Sequence, residues 1–308
     1  VLSRGLGDVY KRQIIDYSWN NIMRFLFLCL SPFPLKVGYV ISDLISSIYL
    51  FLNLNLLKIT FINISLAFPD LEKSEVQKIA KMSLKESFRS YYETFYCFSR
   101  PNRMLSENIL KIENNFLLNN YLKSNGFIIL SLHNRSIDFL FNFLAHKFSV
   151  LGIFKPAKSK FVNNFIKRRR ENDLAKVFET NYKGVRELFK HLSDGSVVAM
   201  AADQVPADGK GEYAQFFGHE AYTTTLVPSL ASKTGKDVLC ASLNSNDFTD
   251  LSITFSETSL NFNKIGKSNF AQSLNHEIEK MICKKLIDYN WEYKRYKKQR
   301  GIQRDPYK

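Results

Sequence analysis

The sequence predicts an α/β protein, a sheet with crossover helices set behind an N-terminal helical membrane anchor. Three observations predict it. From Phe127 onward short apolar runs alternate with segments of helical spacing, and residues 22–57 are dominated by Phe, Leu, Ile, Val and Tyr. Cap and turn residues fall between the runs, which is the rhythm of strand and crossover helix.

Residues 1–13, VLSRGLGDVYKRQ, share no apolar periodicity with the chain from residue 14 onward and read as a non-native adapter remnant or disordered tail, outside the fold. Residues 14–58 form the anchor. Val37 to Leu57 is long enough to span a bilayer, although Asp43, Asn53 and Asn55 are costly in hydrocarbon, so an interfacial helix competes with a true span, and a buried helix of the globular core is the alternative to both. Residues 59–308 are the main domain. Asn63 to Asp70 closes in a turn, and Lys73 to Phe98 has helical spacing, with Ser74 and Gln77 in the form of a capping box. A further helix is expected over Ile109–Ser124. Strands are expected at Phe127–Leu132, Val150–Phe154, Ser196–Ala201, Val238–Ser242 and Leu251–Phe255. Helices are expected after Ser136 and over Lys160–Arg170, Tyr182–Leu192 and Thr225–Lys233, the last ended by a left-handed cap at Gly235.

Composition limits the function. In 308 residues, 45% hydrophobic and 14% aromatic content is ample for a packed core and excludes a disordered chain. Lys and Arg number 43 against 29 acidic residues, a formal charge of +14, which points to an anionic membrane, nucleic acid or a phosphorylated substrate. Neither GxxxxGK[ST] nor a GxGxxG after a strand occurs, and Lys233-Thr-Gly235 lacks the companion motifs of penicillin-binding enzymes. Cys29, Cys97, Cys240 and Cys283 are far apart, without metal-ligand spacing, and read as reduced, mostly buried thiols of a cytoplasm-facing protein. No metal or cofactor is expected.

The most informative segment is Phe127-Ile-Ile-Leu-Ser-Leu-His133-Asn-Arg-Ser-Ile-Asp138. It puts a histidine at a strand end and a carboxylate one turn into the next helix. Such a pair suits a general base whose tautomer a neighbouring acid fixes, with the nucleophile supplied by the substrate. His146, His191, His219 and His276 lack a comparable partner. Asp203 also falls at a strand end, where open sheets bind ligands. The alternative for His133 is a structural histidine, and for most lysines of the basic cluster from Lys155 to Arg170 it is a solvated helix face.

Several segments then occur in a characteristic order: His133 with Asp138, Phe154-Lys-Pro followed by Arg170, Asp203-Gln204, Phe216-Phe-Gly218 with Thr223 to Thr225, and Trp291-Glu-Tyr-Lys-Arg-Tyr-Lys297. With Asn63-Ile-Ser-Leu-Ala-Phe-Pro69 upstream, this order resembles the bacterial lipid A biosynthesis acyltransferases, the lauroyl and myristoyl transferases of the lysophospholipid acyltransferase superfamily. The chain departs from that pattern in Asp138, where Glu is frequent, in Ser159-Lys160, where Asn-Pro is usual, and in Tyr293, where His is common. The resemblance implies a glycerolipid-acyltransferase-like mixed sheet flanked by helices. It implies transfer of a fatty acyl chain from an acyl-carrier protein or coenzyme A thioester to a hydroxyl of a phosphorylated lipid A precursor at the bacterial inner membrane, with the catalytic domain facing the cytoplasm. No nucleic-acid motif is present and the basic residues cluster around one α/β segment and the tail, so no nucleic-acid partner is expected.

The expected catalytic pair is His133, as base, oriented by Asp138. Lys155, Lys158, Arg170, Asp203 and Gln204 are the expected substrate-binding residues. Arg170 and a backbone amide near His133 are alternative oxyanion donors. Trp291 and Tyr293 are read as packing or interfacial aromatics, and Phe216 to Gly218 as wall and turn. An acyltransferase for another membrane lipid, and a non-enzymatic basic membrane-surface protein, are the competing readings.

Overall fold

The computed structural model describes residues 29, 32–52, 55–100, 105–157, 159–246, 250–258, 262, 264–298, 300 and 305–308. Among the described residues, the first long helices are α1 (Leu35–Phe51), α2 (Asn55–Ala67) and α3 (Lys73–Ser99). Strand β1 (Ile109–Glu113) and helix α4 (Asn115–Tyr121) come after them. Next come β2 (Ile128–Ser131), α5 (Ile137–Lys147), β3 (Val150–Phe154), α6 (Lys160–Arg170), β4 (Ala175–Glu179), α7 (Tyr182–Ser193) and β5 (Val197–Ala201). After the hairpin of β6 (Gly211–Phe216) and β7 (His219–Thr224), the chain forms α8 (Leu226–Thr234), β8 (Val238–Ser245), β9 (Leu251–Glu257) and α9 (Phe270–Lys284).

Among the described residues the main sheet has seven strands in the order β1-β9-β8-β2-β5-β3-β4. Strands β8, β2, β5, β3 and β4 are parallel, whereas β9 runs antiparallel to β8 and β1 pairs parallel with β9. The sheet is therefore mixed and sandwiched between two apolar layers. One layer joins Leu130, Met200 and Cys240 to α2, α8 and α9, and the other joins Ile129, Ala199 and Leu239 to α4 and α5. Burial on both faces explains why the central strands are continuous apolar runs without alternation.

Several expected elements differ. Residues 109–113 form an edge strand because Ile109 and Ile112 pack beside β9, a long-range pairing that outweighs local helical spacing. The box that opens α3 uses Glu72 and Glu75, with the Glu72 amide donating to Glu75 Oε2, and Ser74 lies inside the helix. Ser136 caps α5 by accepting from the Phe139 amide, and Gly235 ends α8 at φ +67°. Strand β4, the β6–β7 hairpin and α9 are elements that the sequence pattern did not predict. The hairpin turns on Phe217 and Gly218, both at positive φ, the conformation a two-residue type I′ turn requires. Of the thiols, Cys97 and Cys240 are buried and Cys29 and Cys283 exposed. The segment 1–13 and most of 14–34 lie outside the described residues.

The apolar stretch from Val37 to Leu57, expected as one helix, is broken, with α1 and α2 meeting at 87°. Among the described residues no single helix is long and apolar enough to cross a membrane; α1 and α2 together pass on length and composition. Asp43, expected as a penalty in hydrocarbon, turns inward and accepts two hydrogen bonds from Arg89, at 2.8 and 2.7 Å. Helix α1 is inverted relative to the usual surface helix. It buries Leu35, Gly38, Tyr39, Ser42 and Ser46, while Val40, Leu44, Ile48 and Phe51 stand 61%, 64%, 53% and 88% exposed.

Gly38 sets how closely α1 can approach α3. A Cβ there would lie 1.8 Å from Cε1 of Tyr92, and that ring cannot swing away freely because it is buried and its hydroxyl donates to the Phe33 carbonyl at 2.8 Å. Gly38→Ala is therefore expected to destabilise the fold by about 1–3 kcal/mol, the usual cost of overpacking, despite alanine's better helix propensity. Denaturant unfolding of the two proteins checks this, and an unchanged or raised midpoint would contradict the packing.

Candidate active site

Strand register builds the centre of the site. Strands β2 and β5 are parallel neighbours with Ser131 paired to Ala201. Two residues beyond those partners stand His133 and Asp203, brought side by side at the carboxyl edge of the sheet. His133 Nδ1 lies 2.8 Å from Asp203 Oδ1. The Asp203 carboxyl is held below its usual range: burial would raise it, but the His133 charge and hydrogen bond prevail. An ionised carboxylate can only accept, so Nδ1 carries the proton and Nε2 is the nitrogen free to take another.

The expected His133–Asp138 hydrogen bond does not form. Asp138, in the first turn of α5, accepts from Arg170 Nε at 2.5 Å, and Asp203 takes its expected place beside the imidazole. The reason is positional. Arg170 is the last residue of α6, which ends against the start of α5, whereas the Nδ1 edge of His133 faces the end of β5. Asp138 still acts on the imidazole through space. Burial alone would depress the pKa of His133, but the charge and hydrogen bond of Asp203 and the charge of Asp138 exceed that effect, and Arg170 opposes them only weakly, so the net shift is upward. Glu292, buried and bonded by Ser87 and Tyr91, also feels the His133 charge.

His133, Asp138 and Arg170 line a cavity of about 680 Å³ that reaches over the ends of β2, β3 and β5, with Asp203 buried behind the imidazole. Phe141, Leu144, Gly152 and Val177 give it a largely buried apolar wall, and Lys155, Lys210 and Glu212 give it an exposed charged rim. Arg170 stands between the two with its side chain 17% exposed and its guanidinium 5.7 Å from the Phe154 ring. Its Nε is engaged by Asp138, which leaves the Nη groups for a ligand. Its neighbours Lys167, Arg168 and Arg169 are more exposed than it is. Gln204 lines the cavity beside Asp203, and Lys158 lies outside the described residues. Among the described residues no group of three or more His, Cys, Asp and Glu side chains is arranged to hold a metal ion.

The segment before and including Trp291 serves the site from behind. The amide of Asn290 donates to the His133 carbonyl at 3.0 Å and that of Arg135 to the Asp288 carbonyl at 3.0 Å, with Asn134 bridged to Tyr289 between them. Trp291 is buried, its indole donating to Leu286, and the side-chain amide of Asn63 donates to the carbonyls of Trp291 and Tyr293. Arg295 reaches the Tyr222 carbonyl and Thr223 Oγ1, tying the chain's end to the hairpin. Sequence reasoning missed Tyr289, whose hydroxyl is buried and pushed to a higher pKa first by burial and then by the Asp203 charge. It also missed Arg135. The signal for Asp203 was present, since it and His133 both stand at strand ends.

A family model described as bacterial lipid A biosynthesis acyltransferase matches residues 10–298. No curated protein matches the chain. Among solved structures, the 1-acyl-sn-glycerophosphate (LPA) acyltransferase PlsC from Thermotoga maritima is similar over 79% of this chain and 97% of that one, at 11% identity and a TM-score of 0.34.

The titration of His133 is a direct check of the pairing. Its imidazole, followed by NMR, is expected to titrate above the ordinary value of about 6.5. Asp203→Asn should bring it below that value, because burial then acts with less opposition, and Asp138→Asn should lower it less. A larger fall in the Asp138 variant would reverse the assignment of the two carboxylates.

Proposed function

The chain belongs to the bacterial lipid A biosynthesis acyltransferase family, and from that premise we propose that it moves a fatty acyl chain from a thioester of acyl-carrier protein or coenzyme A to a hydroxyl of a lipid A precursor at the inner membrane. The observation that carries the reading is the His133–Asp203 pair at the polar edge of a cavity with an apolar wall. Such a site can hold a hydrocarbon chain while presenting a base to a hydroxyl.

In this mechanism Nε2 of His133 removes the hydroxyl proton as the oxygen attacks the thioester carbonyl. The C–S bond then breaks, and the imidazolium returns its proton to the departing thiolate. Asp203 keeps Nδ1–H in place and balances the positive charge that forms on the ring. Asp138 holds Arg170 by Nε, so that the Nη groups serve either the carbonyl oxygen as it becomes anionic or an anionic group of the acceptor. No protein nucleophile is involved. Lys155 and Lys210 on the rim suit a phosphorylated headgroup.

Membrane attachment is supported by α1. Its exposed face from Val40 to Phe51 is apolar apart from Ser47, and its buried face, Leu35 apart, is small or carries hydroxyls, the pattern expected when the outer medium is hydrocarbon. The net positive charge adds attraction for anionic lipid. Leu44→Glu combined with Ile48→Lys is expected to move the protein from the membrane to the soluble fraction, whereas about 1 M salt should leave the native chain bound, because apolar burial is not screened. Release of the native chain by salt alone would make the attachment electrostatic.

The acceptor is tested by mass spectrometry of lipid A and phospholipids from cells with and without the gene. Loss of one acyl chain from lipid A supports the proposal. Unchanged lipid A with an altered phospholipid or aminolipid selects another membrane lipid as acceptor, and no change in any lipid favours a non-enzymatic membrane-surface protein. With the purified enzyme, His133→Ala is expected to lower turnover by about 10²–10⁴-fold. Arg170→Lys should also be damaging, since an ammonium lacks the planar fork, while Arg168→Lys should be close to neutral. Equal, small effects at both arginines would remove Arg170 from the site.

A further inference from the structure

Between His133 and Asp138 the chain passes through Arg135 at φ +58°, a left-handed conformation rarely adopted by a residue with a long side chain. Its side chain is 1% exposed and points away from the cavity, into the helical layer. There it donates to Glu86 and Glu93 of α3 and to the Tyr39 hydroxyl at 3.1 Å. Tyr39, on the buried face of α1, donates in turn to Glu93 Oε1 at 2.6 Å. A second route also begins on α1. Asp43 binds Arg89 through two hydrogen bonds, and Arg89 Nη1 donates to Glu86 Oε1 at 2.8 Å, the same carboxylate that holds Arg135. Glu93 Oε2 also accepts from the Ser136 amide at 3.1 Å, one residue further along the catalytic loop.

We propose that Arg135 is a positioning residue that ties the placement of His133 to the seating of helix α1 through Tyr39–Glu93 and Asp43–Arg89–Glu86. Two observations argue for more than a stabilising ion pair. The left-handed backbone at Arg135 lies two residues from the base, and it is held on both sides, by the Asp288 carbonyl accepting from its own amide and by Glu93 accepting from the next. The helix at the other end is the one whose outer face is apolar and exposed, so any surface that covers that face also bears on the loop. The inference rests on the reading of His133 as the base.

The test measures kcat, KM and the pH dependence of kcat/KM with a lauroyl thioester donor and a phosphorylated, acylated glucosamine lipid, using the full chain. The variants are Arg135→Lys, the double Tyr39→Phe/Asp43→Asn, and the triple. Ile278→Val, in the core of α9 away from the network, is the control for lowered stability. His133 is faced by Asp203, Asp138, Arg170 and Glu292, and Arg135 by Glu86, Glu93, Asp288 and Tyr39; only the second set is disturbed directly. Misplacing the base is expected to lower kcat by about 10²-fold in Arg135→Lys with KM nearly unchanged. Loosening of His133 from Asp203 should move the acid limb to lower pH. The double should shift both in the same direction by less, and the triple should match Arg135→Lys, because the changes lie on one path.

Wild-type kcat and an unshifted acid limb in either folded variant would overturn the proposal. So would a fall in melting temperature alone, as expected for Ile278→Val, or strictly additive losses. Should Arg135→Lys not fold, the double decides by the same readouts. His133→Gln is assayed alongside: if it retains activity, the base assignment fails, whereas an inactive His133→Gln with unshifted profiles in the others defeats only the role of Arg135.

Discussion

The buried guanidinium of Arg135 is the constraint on which the arrangement of this molecule depends. A charge taken out of water is costly, and it is tolerated here only because Glu86 and Glu93 accept from it directly and Tyr39 completes the cluster. Removing one partner from such a pair typically costs about 3–5 kcal/mol, since the other charge stays buried. The left-handed backbone adds about 1–2 kcal/mol of conformational cost for a residue with a Cβ. A loop with these liabilities holds one conformation only while α1, α3 and Asp288 are all in place. The strain and the ion pairs therefore bind the helical layer and the sheet edge into one unit.

That unit explains why distant segments converge. The register of β2 with β5 sets His133 beside Asp203, but register alone does not fix the loop beyond the strand end. The segment from Asp288 to Trp291 does so from behind, through backbone bonds to residues 133 and 135. Asn63 of α2 and Arg295 then pin that segment to the helical layer and to the β6–β7 hairpin. Phe217 at the hairpin turn packs between Phe68 and Trp291, so the aromatic residues close the same shell. His133, Asp138 and Arg170 meet at the cavity wall, with Asp203 buried behind the imidazole; the segments around them hold that quartet still.

Much of this was legible in the sequence where local signals were strong. The apolar runs at residues 128–131, 150–154 and 197–201 each became buried parallel strands, and Ser136 and Gly235 became the caps their chemistry suggests. Two histidine-facing acids stood in view, Asp138 and Asp203, and spacing favoured the nearer. Spacing along the chain measures reach within a helical turn, whereas the hydrogen bond was decided by which strands are neighbours, a tertiary fact with no local trace. Strand β1 was missed for the same reason: its conformation is stabilised by β9, far off in sequence. Arg135 went unremarked because nothing local marks a positive φ at arginine.

The apolar N-terminal stretch shows why composition alone misjudges such a segment. Averaged along the chain, Val37 to Leu57 reads as a span, and Asp43 reads as a defect in it. In three dimensions the polar and apolar residues separate around α1: Tyr39 and Asp43 belong to the inner face and Val40, Leu44 and Ile48 to the outer. The inner face is polar because it must reach the acids and arginines that hold the catalytic loop, and a helix so occupied has only its outer face left for apolar residues. The inversion of α1 follows from both demands together. A purely apolar helix would cover the outer surface equally well and leave Arg135 without the tyrosine of its cluster, while an ordinary amphipathic one would face its charges to the wrong side. One helix thus carries the two roles, and the side chains that fit it to the loop are the same ones that made it look like a flawed span.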